Sequence, residues 1–468
     1  MGVHEARRAM GRAFQSLSRE HGFEPLTVEG TIPSELRGTL YKNGPAVFDC
    51  QGTPYVHWLD GDGAITAVRL RDGRAEGAVR VTLTEDLAEE RRAGKMLYSS
   101  GFTKGPSWRR RLFGRAKNPT NIHVLVWQGR VFAMTEMGPP YEIDPTSLET
   151  IGPCDFGGVV SQGLNAHVRV HATTGAIYAC GPRIGVSNAL DVFELPVRGE
   201  VKKLTSVSLS SPPILIHDFA MSEHHLIFVK PPVSVKLAAM MAGLGSAMDA
   251  IEYEAERGTE IIVVPLSRPS EPVIFTVPEF FKLHDANAFE VDEHTLALDV
   301  CRYPSFVLGD AFMLDALRSG EGWANVPEAK LERVFVDLHG KSVRHQTIWP
   351  KNCDFPTTAP CVQGRRARYL WASVTRDGVD RVTKLDLETG EEREAKLPAH
   401  ELSGEPTFVP RPGGVAEDDG WLLTVVFDAR TETSLVAILD ARDPSEVLAR
   451  ARFDHHVAFP LHGAWAPG

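Results

Sequence analysis

The sequence predicts an all-β chain laid out as a β-propeller. Helical periodicity nearly vanishes after residue 20. Short strand-like runs recur from there on, each closed by a turn: 64–70 before Arg71-Asp72-Gly73, 122–127 before Gln128-Gly129, and 168–170 before Thr174-Gly175. No Ser/Gly-rich or Pro-rich linker divides the 468 residues, so one domain, 1–468, is expected. A second phrase, an apolar pair running into a turn, also recurs. It stands at Tyr141-Glu142-Ile143-Asp144-Pro145, Val263-Val264-Pro265-Leu266, Val334-Phe335-Val336-Asp337, Leu385-Asp386-Leu387 and Ala437-Ile438-Leu439-Asp440. The copies are unevenly spaced, which suits propeller blades joined by loops of unequal length. A pair of β-sandwiches is the competing layout.

At the N-terminus, residues 1–20 are expected to carry a short amphipathic helix with Met10, Phe14 and Leu17 on one side. The segment 231–251 is the longest apolar run, and its continuous part, 237–248, falls short of the roughly 20 residues that span a bilayer. It reads either as a helix buried over a propeller face or as an exposed patch that dips into a membrane. An apolar content of 43% supports a large core, and a net charge of −11 argues against nucleic acid as a partner. Arg109, Arg110, Arg111 and Arg115 form a local basic cluster, read as solvated surface. Six cysteines show no paired spacing, which suits reduced thiols in the cytoplasm. The first 20 residues hold no apolar signal region, and Ala6 stands where a myristoylation signal needs Ser or Thr.

Residues 38–63 hold two motifs: the turn Lys42-Asn43-Gly44-Pro45 and the run His57-Trp58-Leu59-Asp60-Gly61-Asp62-Gly63. Asx-Gly turns this close suit a tight meander, since Gly and Asn accept positive φ cheaply. Together the motifs resemble the carotenoid cleavage oxygenases, which carry an Arg-Asn-Gly-Pro turn and a His-(Trp/Phe)-Phe-Asp-Gly-Asp-Gly run. Lys42 and Leu59 depart mildly from that pattern.

Any one of the 17 histidines is weak evidence alone. Four lie in stretches similar to the family's iron-ligand motifs: His167 (Asn165-Ala166-His167-Val168), His217 (Ile216-His217-Asp218-Phe219), His284 (Leu283-His284-Asp285-Ala286-Asn287) and His462 (Pro460-Leu461-His462-Gly463). Val168 stands where the family usually has Pro. Separations of 50, 67 and 178 residues exclude a local zinc-finger site and suit ligands donated by separate blades. The resemblance also implies three acids that hold the ligands' second nitrogens: Glu136, Asp354 and Glu405. Asp354 replaces the usual Glu ahead of Phe355-Pro356 and is one methylene shorter. Thr120 matches a threonine whose methyl limits access to a vacant iron position. Phe219, Phe289, Phe306 and Trp465 are expected to line the substrate tunnel.

The resemblance covers about residues 36–465. It implies a seven-bladed propeller with an apolar helical and loop cap over the iron-bearing face. It further implies one Fe(II) per chain, O2, a hydrophobic polyene cleaved at a C=C bond into carbonyl products, and peripheral membrane contact through 231–251. A sister group cleaves stilbenes with a Lys before the first acid and a Tyr upstream. Here the Lys slot holds Thr135, and Tyr98 is the nearest tyrosine, so carotenoid or apocarotenoid cleavage is favoured. A propeller hydrolase or binding module is the alternative from another class. Asp60 and Asp62 could then be read as calcium ligands, but the loop lacks the Glu such a site needs.

Overall fold

The computed structural model describes residues 8–107, 116–236, 246, 248–320, 322, 326–376 and 379–468. Seven antiparallel sheets form the blades of a propeller. Five are simple four-stranded meanders, running outward from inner strands His123–Trp127, Val168–Val170, Phe219–Met221, Phe281–Glu290 and Cys353–Thr357 (blades 2 to 6). The other two close the ring. Blade 1 joins His21–Pro25, Arg74–Val81, Asp62–Arg71 and Gly38–Val47 to an inner strand from the far end of the chain, Gly463–Pro467, with Leu40 opposite Trp465. Blade 7 runs from Glu401–Ser403 and Thr407–Pro410 through Gly420–Asp428, Thr433–Asp440 and Val447–Arg452, and its outer edge is Thr27–Gly30. Each end of the chain therefore completes a blade begun by the other.

The unbroken apolar runs follow from this layout. A blade's middle strands are covered on both faces by neighbouring blades, so successive residues go to opposite cores. In blade 4, Leu226, Phe228, Ile262 and Val264 pack toward Leu190 and Val192 of blade 3. Their alternates Ile227, Val229, Ile261 and Val263 pack toward Leu296 and Leu298 of blade 5. The recurring turn phrase also has a cause. Asp144, Asp337, Asp386 and Asp440 each accept backbone N–H groups two and three residues ahead, so one carboxylate closes each hairpin.

The N-terminal helix is shorter than expected. It is helical at 8–10 and 3-10 over Gly11–Phe14, and Gln15 is already extended. Pairing with blade 1 ends it: Leu17 N–H donates to Ala46 O, and Ser16 Oγ accepts Phe48 N–H. Met10 and Phe14 still pack together, with Trp58, Leu314, Leu317 and Phe459, into an apolar cap built from short helices and loops. Of the apolar segment, Val233–Val235 pairs with Ile251–Tyr253. Residues 237–245 and the four clustered arginines lie outside the described residues. No helix among the described residues is long and apolar enough to cross a membrane.

The Asp-Gly-Asp-Gly run is a clasp. Asp60 accepts Phe102 N–H and Thr103 Oγ1–H at 2.9 and 2.6 Å, and Asp62 pairs with buried Lys117 at 2.6 Å. Lys117 also meets Glu90 at 2.8 Å. Both aspartates hold down the loop after residue 97, and neither joins a metal-capable cluster among the described residues.

Candidate metal centre

Four imidazoles meet at the inner end of the blades. His167 and His462 immediately precede the inner strands of blades 3 and 1, His217 precedes that of blade 4 by two residues, and His284 lies within that of blade 5. Successive Nε2 atoms of His167, His217, His284 and His462 are 3.2 Å apart. The three remaining blades supply the acids. Glu136 follows blade 2's second strand, Asp354 lies on blade 6's inner strand, and Glu405 lies in blade 7. Each blade thus contributes one group.

The acids set the ring orientations. His462 Nδ1 lies 2.8 Å from Glu405 Oε1, and His284 Nδ1 lies 2.7 Å from Asp354 Oδ1. His217 Nδ1 lies 2.8 Å from Glu136 Oε1, an ion-pair distance without hydrogen-bond alignment. A carboxylate only accepts, so in His284 and His462 Nδ1 carries a proton and Nε2 faces the common centre. Burial alone would lower the pKa of His284, but Asp354 outweighs it and holds the ring above its ordinary value. His462 is lowered to about 4 by burial, with Glu405 opposing. Burial holds His167 far below the ordinary range. Its nearest carboxylate, Asp218, is 3.6 Å away and is clamped by Arg169 and by Asp285 N–H.

The shorter Asp354 reaches His284 directly, with no bridging group. Blade 6's inner strand is bulged between Asp354 and Thr357, and Phe355 takes a left-handed φ of 52°. The bulge turns the carboxylate toward the axis. Tyr303 Oη–H steadies its other oxygen at 2.5 Å. Lys42 also proves to be more than a mild departure. Its side chain is fully buried, and Nζ donates to Glu405 Oε2 at 2.6 Å. Burial would raise the Glu405 pKa, but Lys42 and His462 hold it well below the carboxylate range.

Two cavities flank the four rings. One, beneath the cap, is lined largely by apolar groups, including Trp58, Phe281, Phe312, Phe355 and Leu461, and it reaches His217, His284 and His462. The other follows the axis from the opposite face and reaches His123, His167, His284 and His462.

This geometry has counterparts. The sequence matches the family described as retinal pigment epithelial membrane protein over residues 14–467. The chain belongs to that family. Apocarotenoid-15,15'-oxygenase of Synechocystis sp. is 33% identical over 473 residues, covering 97% of this chain and 95% of its own. Resveratrol cleavage oxygenase 1 of Aspergillus fumigatus is 27% identical, covering 100% and 97%. Probable carotenoid cleavage dioxygenase 4 of Arabidopsis thaliana is 27% identical, covering 93% and 76%. Among solved structures, that of the cobalt-substituted Synechocystis enzyme superposes with a TM-score of 0.91 at 32% identity, covering 99% of each chain.

Against this family background, the aromatic lining is the part of the site that sequence reasoning misplaced. Phe219 stacks on Phe228 in the core between blades 3 and 4. Phe289 lies in a separate surface depression beside Arg365. Trp465 faces the axial cavity. Phe306 stands behind the apolar wall, packed on Tyr253 and Phe281. Trp58 lies within one recognised motif, Phe355 beside Asp354 and Phe281 three residues before His284, so position near a motif was a usable signal for them; Phe312 had none. Thr120 is buried with a φ of 44°, costly for a β-branched residue, and its Oγ1 has no hydrogen-bond partner. Its carbonyl accepts Asn43 Nδ2–H at 2.9 Å. Tyr98 donates to Glu89 and does not line the apolar cavity.

Proposed function

We propose that this protein is a non-haem Fe(II) dioxygenase that cleaves a C=C bond of a carotenoid or apocarotenoid with O2, giving aldehyde or ketone products. The observation that carries this reading is the convergence of four imidazole nitrogens at the floor of an apolar cavity. His167, His217, His284 and His462 would hold one iron per chain. Four neutral donors suit borderline metals and leave a divalent ion its full charge. Bound ferrous iron supplies the dioxygen chemistry, and the chain supplies position and surroundings. Glu136, Asp354 and Glu405 would keep the rings of His217, His284 and His462 from turning away. Trp58, Phe281, Phe312 and Phe355 would hold a conjugated chain by dispersion and exclude water. Thr120, held in a strained conformation, would limit access to one open position. No side chain is required as a general base.

The stilbene reading is the alternative, and one of the relatives is a resveratrol cleavage oxygenase. Against it, Thr135 stands where a lysine would help form a phenolate, and Tyr98 is engaged with Glu89. Incubating iron-loaded protein with β-apocarotenals and with hydroxystilbenes decides between them; turnover of the stilbene alone overturns the carotenoid assignment. Metal analysis separates a further class, with stoichiometric iron expected and calcium or no metal pointing to a hydrolase or binding module. The apolar segment 231–251 gives the reading a membrane side, in which a cytoplasmic protein takes its substrate from a bilayer surface. Flotation with neutral liposomes tests that, and no co-flotation removes it.

A further inference from the structure

Among the described residues two cavities reach the four histidines, and the axial one suits a hydrated cation better. Through the cavity beneath the cap, an ion would shed its water against a wall dominated by Trp58, Phe281, Phe312 and Leu461, where the carboxylates Glu136 and Asp354 are already turned to ligand rings, a transfer that charge disfavours. The axial cavity carries more polar groups among its apolar lining. Exposed Glu35, Arg37 and Pro467 stand at its outer end, and Asp218, Glu405, His123 and His167 stand further in. Asp218 and Glu405 are engaged with Arg169 and Lys42, so the imidazoles are the groups there that can exchange for bound water one at a time.

His123 is the group in this passage that the four-histidine centre leaves unexplained. It opens the inner strand of blade 2, a blade that supplies no ligand. Its ring centroid lies 5.7 Å from that of His167 and 5.9 Å from that of His462. Its carbonyl accepts Asn43 Nδ2–H, which fixes the backbone. Its Nδ1, by contrast, is buried with no hydrogen-bond partner, and no carboxylate holds it as Glu405 holds His462. An unmatched buried polar atom is costly and asks for a use.

We propose that divalent iron reaches the centre down the axial cavity and that His123 binds it in transit, passing it to His167 and His462. The proposal rests on the Fe(II) reading of the four-histidine site. A staging ligand lowers the barrier in both directions, so it changes rates and leaves equilibrium affinity alone.

The test uses the full chain, stripped of metal and mixed anaerobically with ferrous iron. Loading is followed as iron becomes inaccessible to a fast colorimetric chelator, release by challenge with excess chelator, and affinity by competition at equilibrium. In His123→Val, loading and release should both slow by roughly tenfold, the scale on which assisting groups at metal sites are felt, with affinity unchanged. Unchanged rates in a folded variant overturn the proposal, as does weaker affinity with faster release, which marks a structural prop. His123→Phe, a ring without a donor atom, replaces the Val variant if that fails to fold. The route is tested without touching 123: Leu308→Trp narrows the apolar cavity and should leave loading unchanged, whereas slowed loading overturns the axial route. A wild-type chain that takes up no iron at equilibrium refutes the Fe(II) reading itself, which is a different result from bound iron with unaltered kinetics.

Discussion

Two histidine–glutamate pairs arise eight residues apart in blade 4, and one of them joins the four-histidine cluster. His217 Nδ1 lies 2.8 Å from Glu136, and His225 Nδ1 lies 3.2 Å from Glu290. His217 precedes the inner strand Phe219–Met221, and its Nε2 meets those of His167 and His284 at 3.2 Å. His225 opens the next strand, beyond the hairpin, and joins no metal-capable cluster among the described residues. Glu290 there also accepts Ser222 Oγ–H and His224 N–H, so the pair fastens a turn. A carboxylate behind an imidazole is therefore not the mark of a ligand. The mark is a second nitrogen left pointing at others like it.

The sharpest way to break this contrast is substitution of each histidine. His217→Ala and His284→Ala should lose bound iron and activity, well beyond the roughly 10- to 100-fold cost of losing an outer partner. His225→Ala should keep both and lose only about 1 kcal/mol of stability, the scale of one hydrogen bond. Metal analysis and turnover read both, and loss of iron in His225→Ala erases the distinction. Next in size is the support behind a ligand. Lys42→Met leaves Glu405 without its buried cation and should weaken iron binding roughly 10- to 100-fold, while Lys42→Arg restores most of it. Equal weakening in both variants would mean that packing, not charge, is the contribution of Lys42.

A smaller effect is expected in the apolar wall. Phe312→Ala should raise KM for a polyene roughly tenfold and leave iron content unchanged. Loss of iron instead would place Phe312 in the support of the centre. The smallest effect belongs to the turn pair. Burial would raise the Glu290 pKa, but His225, Ser222 and His224 N–H bring it to about 2. Its folded value lies below its unfolded value of about 4.3, so its contribution is complete above that pH and disappears as pH falls toward 2. Thermal melts of Glu290→Gln should fall slightly below the wild type near neutrality and merge with it in acid. A gap that widens in acid would reverse the sign.

The parts of the site that were legible in the sequence are those carried by short local phrases. The four clustered histidines and the three acids behind them each sit in a motif, and the turn aspartates recur because one residue closes each hairpin. The supports were not legible, because each joins distant blades: Lys42 meets Glu405, and Tyr303 meets Asp354. The tunnel aromatics failed for a geometric reason. A strand advances about 3.3 Å per residue, so Phe289, five positions past His284, is carried about 16 Å outward. Trp465 follows His462 into the inner strand of blade 1 and faces the axial cavity. The N-terminal helix was overextended because its apolar spacing continues to Leu17, whose N–H pairs with Ala46 instead.

The pairing of Gly463–Pro467 with Gly38–Val47 has a consequence for biosynthesis. Six of the seven groups at the centre can leave the ribosome while blade 1 still lacks its innermost strand. His462, one residue ahead of that strand, is the last of the seven to emerge. An emerging polypeptide thus gathers all seven groups only when blade 1 receives its innermost strand, the step that also shuts the ring.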